Sequence, residues 1–299
     1  MKKSILILLI MISCIGCTSE GPHDGCDSGS LNLIFTHEGT TDDFDLSVAS
    51  DIELYLYDNE GRIIEERHIH YDNIKGGRPY PFEQQHSGNV HLVTWALSGD
   101  EDINKVSPAF QDEEDYSTVN FTMSERQSRS SRTYSGSVQE LFLGNQSFTL
   151  SPLEEKVIHV DVRKLLCSIT VTIEEGNNFK TQYPGELSMS IAGSSESYHI
   201  LEDKQSGDAI TIEDNFSYIK SRDEYVSKNK VFPASVNTES GLEDNIIITL
   251  FEDKIARLRV DTETKAQEGT QIDVVIRPTK QEAIITVDSW QVRKALIVL

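Results

Sequence analysis

The sequence predicts an all-β protein, two antiparallel β-sandwiches in tandem behind a lipoprotein leader. Three observations point there. Apolar and polar residues alternate in short runs, no apolar stripe of helical period lasts for 12 residues, and the alternating pattern restarts after Pro152. Period-two runs divided by Gly, Pro, Asn and Ser are the mark of half-buried strands and turns.

The chain opens with Lys2 and Lys3, an apolar run from Ile5 to Ile12, and Gly16 before Cys17. A positive end, a short apolar core and a small exit residue mark a secretory signal peptide over 1–17. The run is well short of the roughly 20 residues that cross a bilayer, and no polar alternation gives it the solvent face of a buried helix. The segment Ser13-Cys14-Ile15-Gly16-Cys17 resembles a bacterial lipobox, so lipid is expected on Cys17. Cys14, after Met11-Ile12-Ser13, is the second candidate, because position −3 is Cys14 rather than Leu. Several acyl chains would hold the protein at the membrane where one alone is marginal.

Residues 18–29, rich in Ser, Gly and Asp, read as a flexible tether. A first sandwich is expected over 30–152. It begins with Leu31, Leu33 and Phe35 on one strand face, followed by Ile52, Leu54 and Leu56, with Tyr55 and Tyr57 free to cover the other face. Asp58-Asn59-Glu60-Gly61 is a turn signal before Ile63 and Ile64. A strand from Asn89 to Leu97 follows. Residues 100–115 hold seven acids against one lysine, which reads as a solvated loop. Arg126, Arg129 and Arg132 suggest a protease-sensitive loop, and strands over Leu141–Leu143 and Ser147–Leu150 close the unit.

The second sandwich is expected over 153–299. Its strand signals are Ile158/Val160/Val162, Ile169/Val171/Ile173, Leu187/Met189/Ile191, Ile246–Leu250, Leu258/Val260, Ile272/Val274/Ile276 and Ile285/Val287. The chain ends on Ala295, Leu296, Ile297, Val298 and Leu299. Five apolar residues at a terminus either complete their own sheet or pair with an open sheet edge on a partner. With Leu31, Leu33 and Phe35 they form the candidate assembly segments.

Composition narrows the partners. With 27 basic and 49 acidic side chains the formal net charge is −22. Such a surface repels nucleic acid and anionic lipid, which leaves attachment to the acyl chains. Cys26 and Cys167 are the two cysteines beyond the leader. Export permits a disulfide between them, and a buried free thiol at Cys167 is equally ordinary.

Chemistry is sparse. His68 and His70 share a strand face that His86 and His91 could approach, but zinc needs three or four converging ligands. His37, His159 and His199 stand in separate elements. The acidic runs Asp42-Asp43-Asp45 and Asp112–Asp115 match no 12-residue calcium loop, and Asp58–Gly61 fails the order of one. Nucleophile-elbow, zincin and phosphate-loop signatures are absent. No enzyme activity, metal or cofactor is expected.

Four features together carry a resemblance. They are the leader ending at Cys17, the hairpin run DIELYLYDNEG from Asp51 to Gly61, the strand GNVHLVTWA from Gly88 to Ala96, and Leu141–Gly144 leading into the strands from Val157 to Ile173. They resemble the anchor-subunit lipoproteins of Bacteroidales fimbriae, the FimB-like group of the fimbrillin-associated proteins. That family's patterns are V-x-L-Y-V-F-D-x-x-G and P-G-x-Y-x-L-V-x-W-A. This chain departs from them with Ser87 where Pro is common and His91 where Tyr is common.

The resemblance implies two Greek-key, transthyretin-like sandwiches in a non-enzymatic, palmitate-bearing surface lipoprotein of the outer membrane. Such a protein holds a fimbria at its base and limits its length, with stalk or accessory subunits as partners joined by strand exchange. The alternative is a carbohydrate- or protein-binding lipoprotein of a nutrient-uptake system, in which Trp95, Trp290, Tyr80 and Tyr183 would supply exposed rings.

Overall fold

The computed structural model describes residues 30–37, 51–83, 87–98, 106–109, 120–123, 133–135, 139–151, 154–200, 202–235, 244–288 and 290–296. The leader, the tether, both acidic runs, His86 and the three arginines at 126, 129 and 132 lie outside these residues.

Alternation builds the first sandwich as expected, and its sheet partners come from further along the chain. The early strands are β1 (Ser30–Thr36), β2 (Asp51–Tyr57), β3 (Ile63–His70), β4 (Tyr80–Glu83) and β5 (Gly88–Ser98). Three short strands follow, β6 (Val106–Ala109), β7 (Asn120–Met123) and β8 (Thr133–Ser135), before the long β9 (Glu140–Leu150), β10 (Lys156–Asp161) and β11 (Arg163–Lys164). A three-stranded sheet in the order β10-β1-β4 faces a five-stranded one in the order β11-β9-β5-β2-β3. Between them lie Leu31, Leu33, Phe35, Ile52, Leu54, Leu56, Leu92 and Val160, all essentially inaccessible.

The second sandwich uses β12 (Cys167–Ile173), β13 (Leu187–His199), β14 (Lys204–Asn215), β15 (Ser217–Ile219), β16 (Glu224–Val231), β17 (Ile247–Glu252), β18 (Ile255–Asp261), β19 (Gln271–Arg277), β20 (Glu282–Val287) and β21 (Trp290–Leu296). A seven-residue α-helix of about two turns, Gly176–Gln182, joins β12 to β13. One sheet runs β15-β16-β12-β19-β20-β21. The other runs β18-β17-β13-β14-β8, with β7 on β13 and β6 on β7. Strict alternation in β12 and β19 puts Ile169, Val171, Ile173, Ile272, Val274 and Ile276 into the core and threonine, aspartate and glutamine along the other face.

Three expectations are corrected here. The division at 152/153 does not match the pairing, because β10 and β11 lie beyond it and complete the first sandwich. Residues 106–135 cross the other way. β7 pairs with the far end of β13 and β8 pairs with β14, so three strands from the first half extend the second sandwich. The supposed loop at 100–115 thus contains β6. The physical reason is the β5–β9 ladder: these strands pair over Gly88↔Leu150 to Ser98↔Glu140, and everything between them leaves the sheet at one end. Nor are the sheets wholly antiparallel, since β1/β10, β12/β19 and β8/β14 are parallel. A parallel neighbour demands a long crossover, which the strands of the facing sheet supply.

β13 changes partner midway, from β17 over Leu187–Ala192 to β7 over Ser197–His199. A register shift at Gly193 makes the change possible, and the hydroxyls of Ser194 and Ser195 donate to the carbonyls of Phe232 and Pro233 at 3.1 and 3.0 Å. Gly193 has φ +102, and a Cβ there would lie 2.2 Å from the Asn245 carbonyl oxygen. Gly193→Ala is therefore expected to cost about 2–4 kcal/mol, from backbone strain and the clash with a neighbouring main chain. Urea denaturation would read this as a lowered midpoint at unchanged slope.

Candidate functional site

The candidate assembly segments differ in what they offer. β1 lies between β10, which pairs with residues 31–36, and β4, which pairs with residues 30–33. Leu31, Leu33 and Phe35 are core residues, and a partner strand along the whole of β1 would have to displace a neighbour. At the other end of the chain, Ala295 and Leu296 pair with Ala283 and Glu282 of β20, and β21 is the outermost strand of its sheet. The terminal residues thus complete their own sheet through Leu296 and present a further edge beyond it. Ile297, Val298 and Leu299 lie outside the described residues.

Two other outermost strands, β3 and β18, are guarded by charge. β3 carries Glu65, Glu66, Arg67, His68 and His70, and β18 carries exposed Arg257 and Arg259. Charged edge strands discourage strand pairing. The run from Ala295 onward is uncharged.

The described histidines are engaged one by one. His68 lies between two carboxylates, with Nδ1 2.7 Å from Glu53 and Nε2 3.1 Å from Asp51. Its pKa is raised, first by the hydrogen bond to Glu53. His70 lies 3.9 Å from Asp51. His91 is turned instead to Ser147 at 2.7 Å, and burial lowers its pKa. His37 Nδ1 donates to the Val162 carbonyl at 2.7 Å, and His159 and His199 are on other strands. Among the described residues no group of three or more His, Cys, Asp or Glu side chains is arranged to hold a metal.

Cys167 is a buried free thiol that accepts a hydrogen bond from the Thr270 hydroxyl at 3.3 Å. Burial pushes its pKa up to about 11. Cys14, Cys17 and Cys26 lie outside the described residues.

The aromatic residues mark a junction that sequence reasoning did not foresee. Residues 55 and 57 face away from the first core. With Val93, Trp95, Leu141 and Leu143, they join the core of the second sandwich through Phe121 and Leu165. Tyr55 stacks on Trp95 at 4.6 Å with planes 5° apart, and Phe121 meets Trp95 edge-on at 5.5 Å. Trp95 is 5% exposed and Tyr183 9%, so both belong to packing. Tyr80 is half-buried. Trp290 sits opposite Val287 in β21.

Polar contacts seal the same junction. Arg163 of β11 donates to Glu268 at 2.9 Å and pairs with Asp203, and the Tyr198 hydroxyl lies 2.7 Å from Glu268. Lys230 reaches buried Glu140 at 3.0 Å, and Asn145 donates to the Ile200 carbonyl at 2.8 Å. Burial, then these carboxylates, raise the Tyr198 phenol well above its ordinary range; burial and Glu66 do the same to Tyr55. The visible signal was the consecutive apolar run Leu54-Tyr55-Leu56-Tyr57, too dense for a strand with one wet face.

A raised pKa in the folded state means stability present below the unfolded value and lost as pH rises through the folded one. The ordinary values are 10.0 for Tyr55, Tyr57 and Tyr198 and 9.0 for Cys167. The urea midpoint should therefore hold steady from neutral pH to about 9 and fall above it. A Tyr198→Phe variant should show a shallower alkaline fall. Cys167 should stay unlabelled by a maleimide at pH 8 until the protein unfolds.

The family model for fimbrillin-A associated anchor proteins Mfa1 and Mfa2 matches residues 22–295. No curated protein matches at a significant level. Among solved structures, the fimbrial anchor protein Mfa2 from Porphyromonas gingivalis superposes with a TM-score of 0.58 at 10% identity, covering 90% of this chain and 100% of that one. A candidate adhesin from Bacteroides ovatus gives 0.61 at 10% identity, covering 90% and 95%. A candidate polysaccharide-binding protein from Bacteroides thetaiotaomicron gives 0.59 at 11% identity, covering 89% and 98%. These three likenesses show a shared tandem all-β fold. The family match runs from the tether through β21, and the chain belongs to the fimbrillin-A associated anchor proteins, a non-enzymatic structural family of fimbriae.

Proposed function

We propose that this protein is a FimB-like anchor subunit, a lipoprotein that fixes a fimbria to the outer membrane and limits its length. The observation that carries the reading is the family match over residues 22–295, taken together with the lipobox-like segment ending at Cys17. Lipid on Cys17, palmitate among its acyl chains, places the body at the cell surface; Cys14 is the second candidate for that lipid. The tether over 18–29 supplies reach. Two Greek-key, transthyretin-like units carry the load to stalk or accessory subunits.

The junction with those subunits is the β21 edge and the segment from Ala295 to Leu299. β21 is the outermost described strand of its sheet, and after Arg293 and Lys294 it ends on the uncharged Ala295 and Leu296, whereas β3 and β18 carry charge to their last residues or next to them. Length limitation follows from the same account. A subunit whose first strand is already paired with β10 and, over residues 30–33, with β4 accepts the growing fibre at one place, the β21 edge. A bridge between Cys26 and Cys167 has less support, because Cys167 is fully buried beside Thr270. The glycan-binding alternative is weakened by the burial of Trp95 and Tyr183.

The test combines labelling and recovery in cells that make the fimbria. A palmitate analogue should label the wild-type protein and Cys14→Ser but not Cys17→Ala, and Cys17→Ala should lose most of its outer-membrane retention. Solubilised wild type should bring down a fibre subunit, and deletion of residues 295–299 should abolish that recovery while the protein stays folded. Recovery of no fibre subunit by the wild type would sink the reading.

A further inference from the structure

We propose that each sandwich is built as a shear clamp for tension applied between the two chain ends, and that the β20–β21 hairpin gives way first. The inference rests on the reading above, in which load arrives ahead of β1 and leaves through β21. In the first sandwich β1 and β10 are parallel neighbours from Leu31↔Lys156 to Thr36↔Asp161. The chain reaches β1 at its Ser30 end and leaves β10 at its Asp161 end. Tension draws the two strands in opposite directions along their own axes. All their cross-strand bonds then bear load together, where a pull from one shared end would open them one by one.

The second sandwich repeats the device. β12 and β19 are parallel from Ser168↔Gln271 to Ile173↔Ile276, and the chain reaches one at Cys167 and leaves the other at Arg277. Two antiparallel steps follow, so β21 runs in the direction of β12 and ends, at Leu296, at the opposite end of the sheet from Cys167.

Side chains keep both clamps from slipping. Leu31, Leu33 and Phe35 interleave with Ile158 and Val160, and Ile169, Val171 and Ile173 with Ile272, Val274 and Ile276; none is more than 6% exposed. A slip of one residue would turn every one of these side chains out of the core, so the strands hold until the core opens.

β20 keeps Ala283 and Ile285 in the core, but among the described strands β21 pairs with β20 alone, and its register with β20 shifts between Ile285 and Thr286. Sliding β21 away exposes the Val287 end of β20, and the tension then peels β20 from β19 bond by bond until it meets the β12/β19 clamp.

A single-molecule force ramp on the chain from residue 18 onward tests this, with Cys26→Ser so that handles attach only at the intended thiols. One arm places handles at the two chain ends. The other places them at the N-terminal end and at Glu155→Cys, an exposed position just ahead of β10, so that β1 and β10 are pulled from the same end. Equal urea midpoints establish that both forms are folded. End-to-end loading should give a first step of roughly 60 Å, the extension of the released hairpin, then a main rupture at twice or more the force of the same-end geometry. Equal or lower force end to end, or a first step that releases a whole sandwich, would overturn the clamp. That failure would leave lipid labelling and fibre recovery untouched, and failure of those would leave the forces as measured.

Discussion

The constraint on which the rest of the molecule depends is that the middle of its five-stranded sheet, around β2 and β5, is buried on both faces. One face of β2 sends Ile52, Leu54 and Leu56 into the first core, and the other sends Tyr55 and Tyr57 toward the second. Antiparallel sheets in sandwiches ordinarily keep one face wet. Covering the second face demands a partner surface, and the second sandwich provides it through Phe121, Leu165 and Tyr198. An aromatic stack such as Tyr55 on Trp95 adds about 0.5–1.5 kcal/mol beyond its buried area. The larger effect is geometric, because flat rings packed face to face fix the separation of the two units.

Charge cooperates with that packing. The molecule is strongly acidic overall, yet Arg163 and Lys230 are committed at the junction, each to carboxylates on the other sandwich. Pairs that are partly buried resist salt better than surface pairs. Glu140 is nearly inaccessible, and one of its oxygens has no hydrogen-bond partner, so losing Lys230 would leave an uncompensated charge inside the structure. The junction is thus a specific fit as well as an apolar one.

Much of this was legible in the sequence because one buried face enforces period two. Ile169/Val171/Ile173 and Ile272/Val274/Ile276 announce their strands, and the turn at Asp58–Gly61 announces its hairpin. The domain division was less legible. Residues 156–164 and 106–135 alternate too, but alternation says which face is buried and nothing about which strand is adjacent. β6 to β8 are three or four residues long, too short for any pattern to stand out, and their neighbours are distant in sequence. Of the candidate sites, the terminal apolar run was readable as self-pairing, and Trp95 as packing. That β10, from beyond Pro152, lies along Leu31–Phe35 is not legible, because nothing local marks so distant a parallel partner.

The exchange of strands between the two halves carries a consequence for biogenesis. A chain delivered from its N-terminus cannot finish the first sandwich until β10 has emerged, and β6 to β8 must wait unpaired for β13 and β14. Contacts so distant in sequence slow folding and leave strand edges open to aggregation meanwhile. Neither half is a free-standing module that could be cut out, duplicated or grafted, so evolution can vary the loops of this protein readily but must inherit its two sandwiches together.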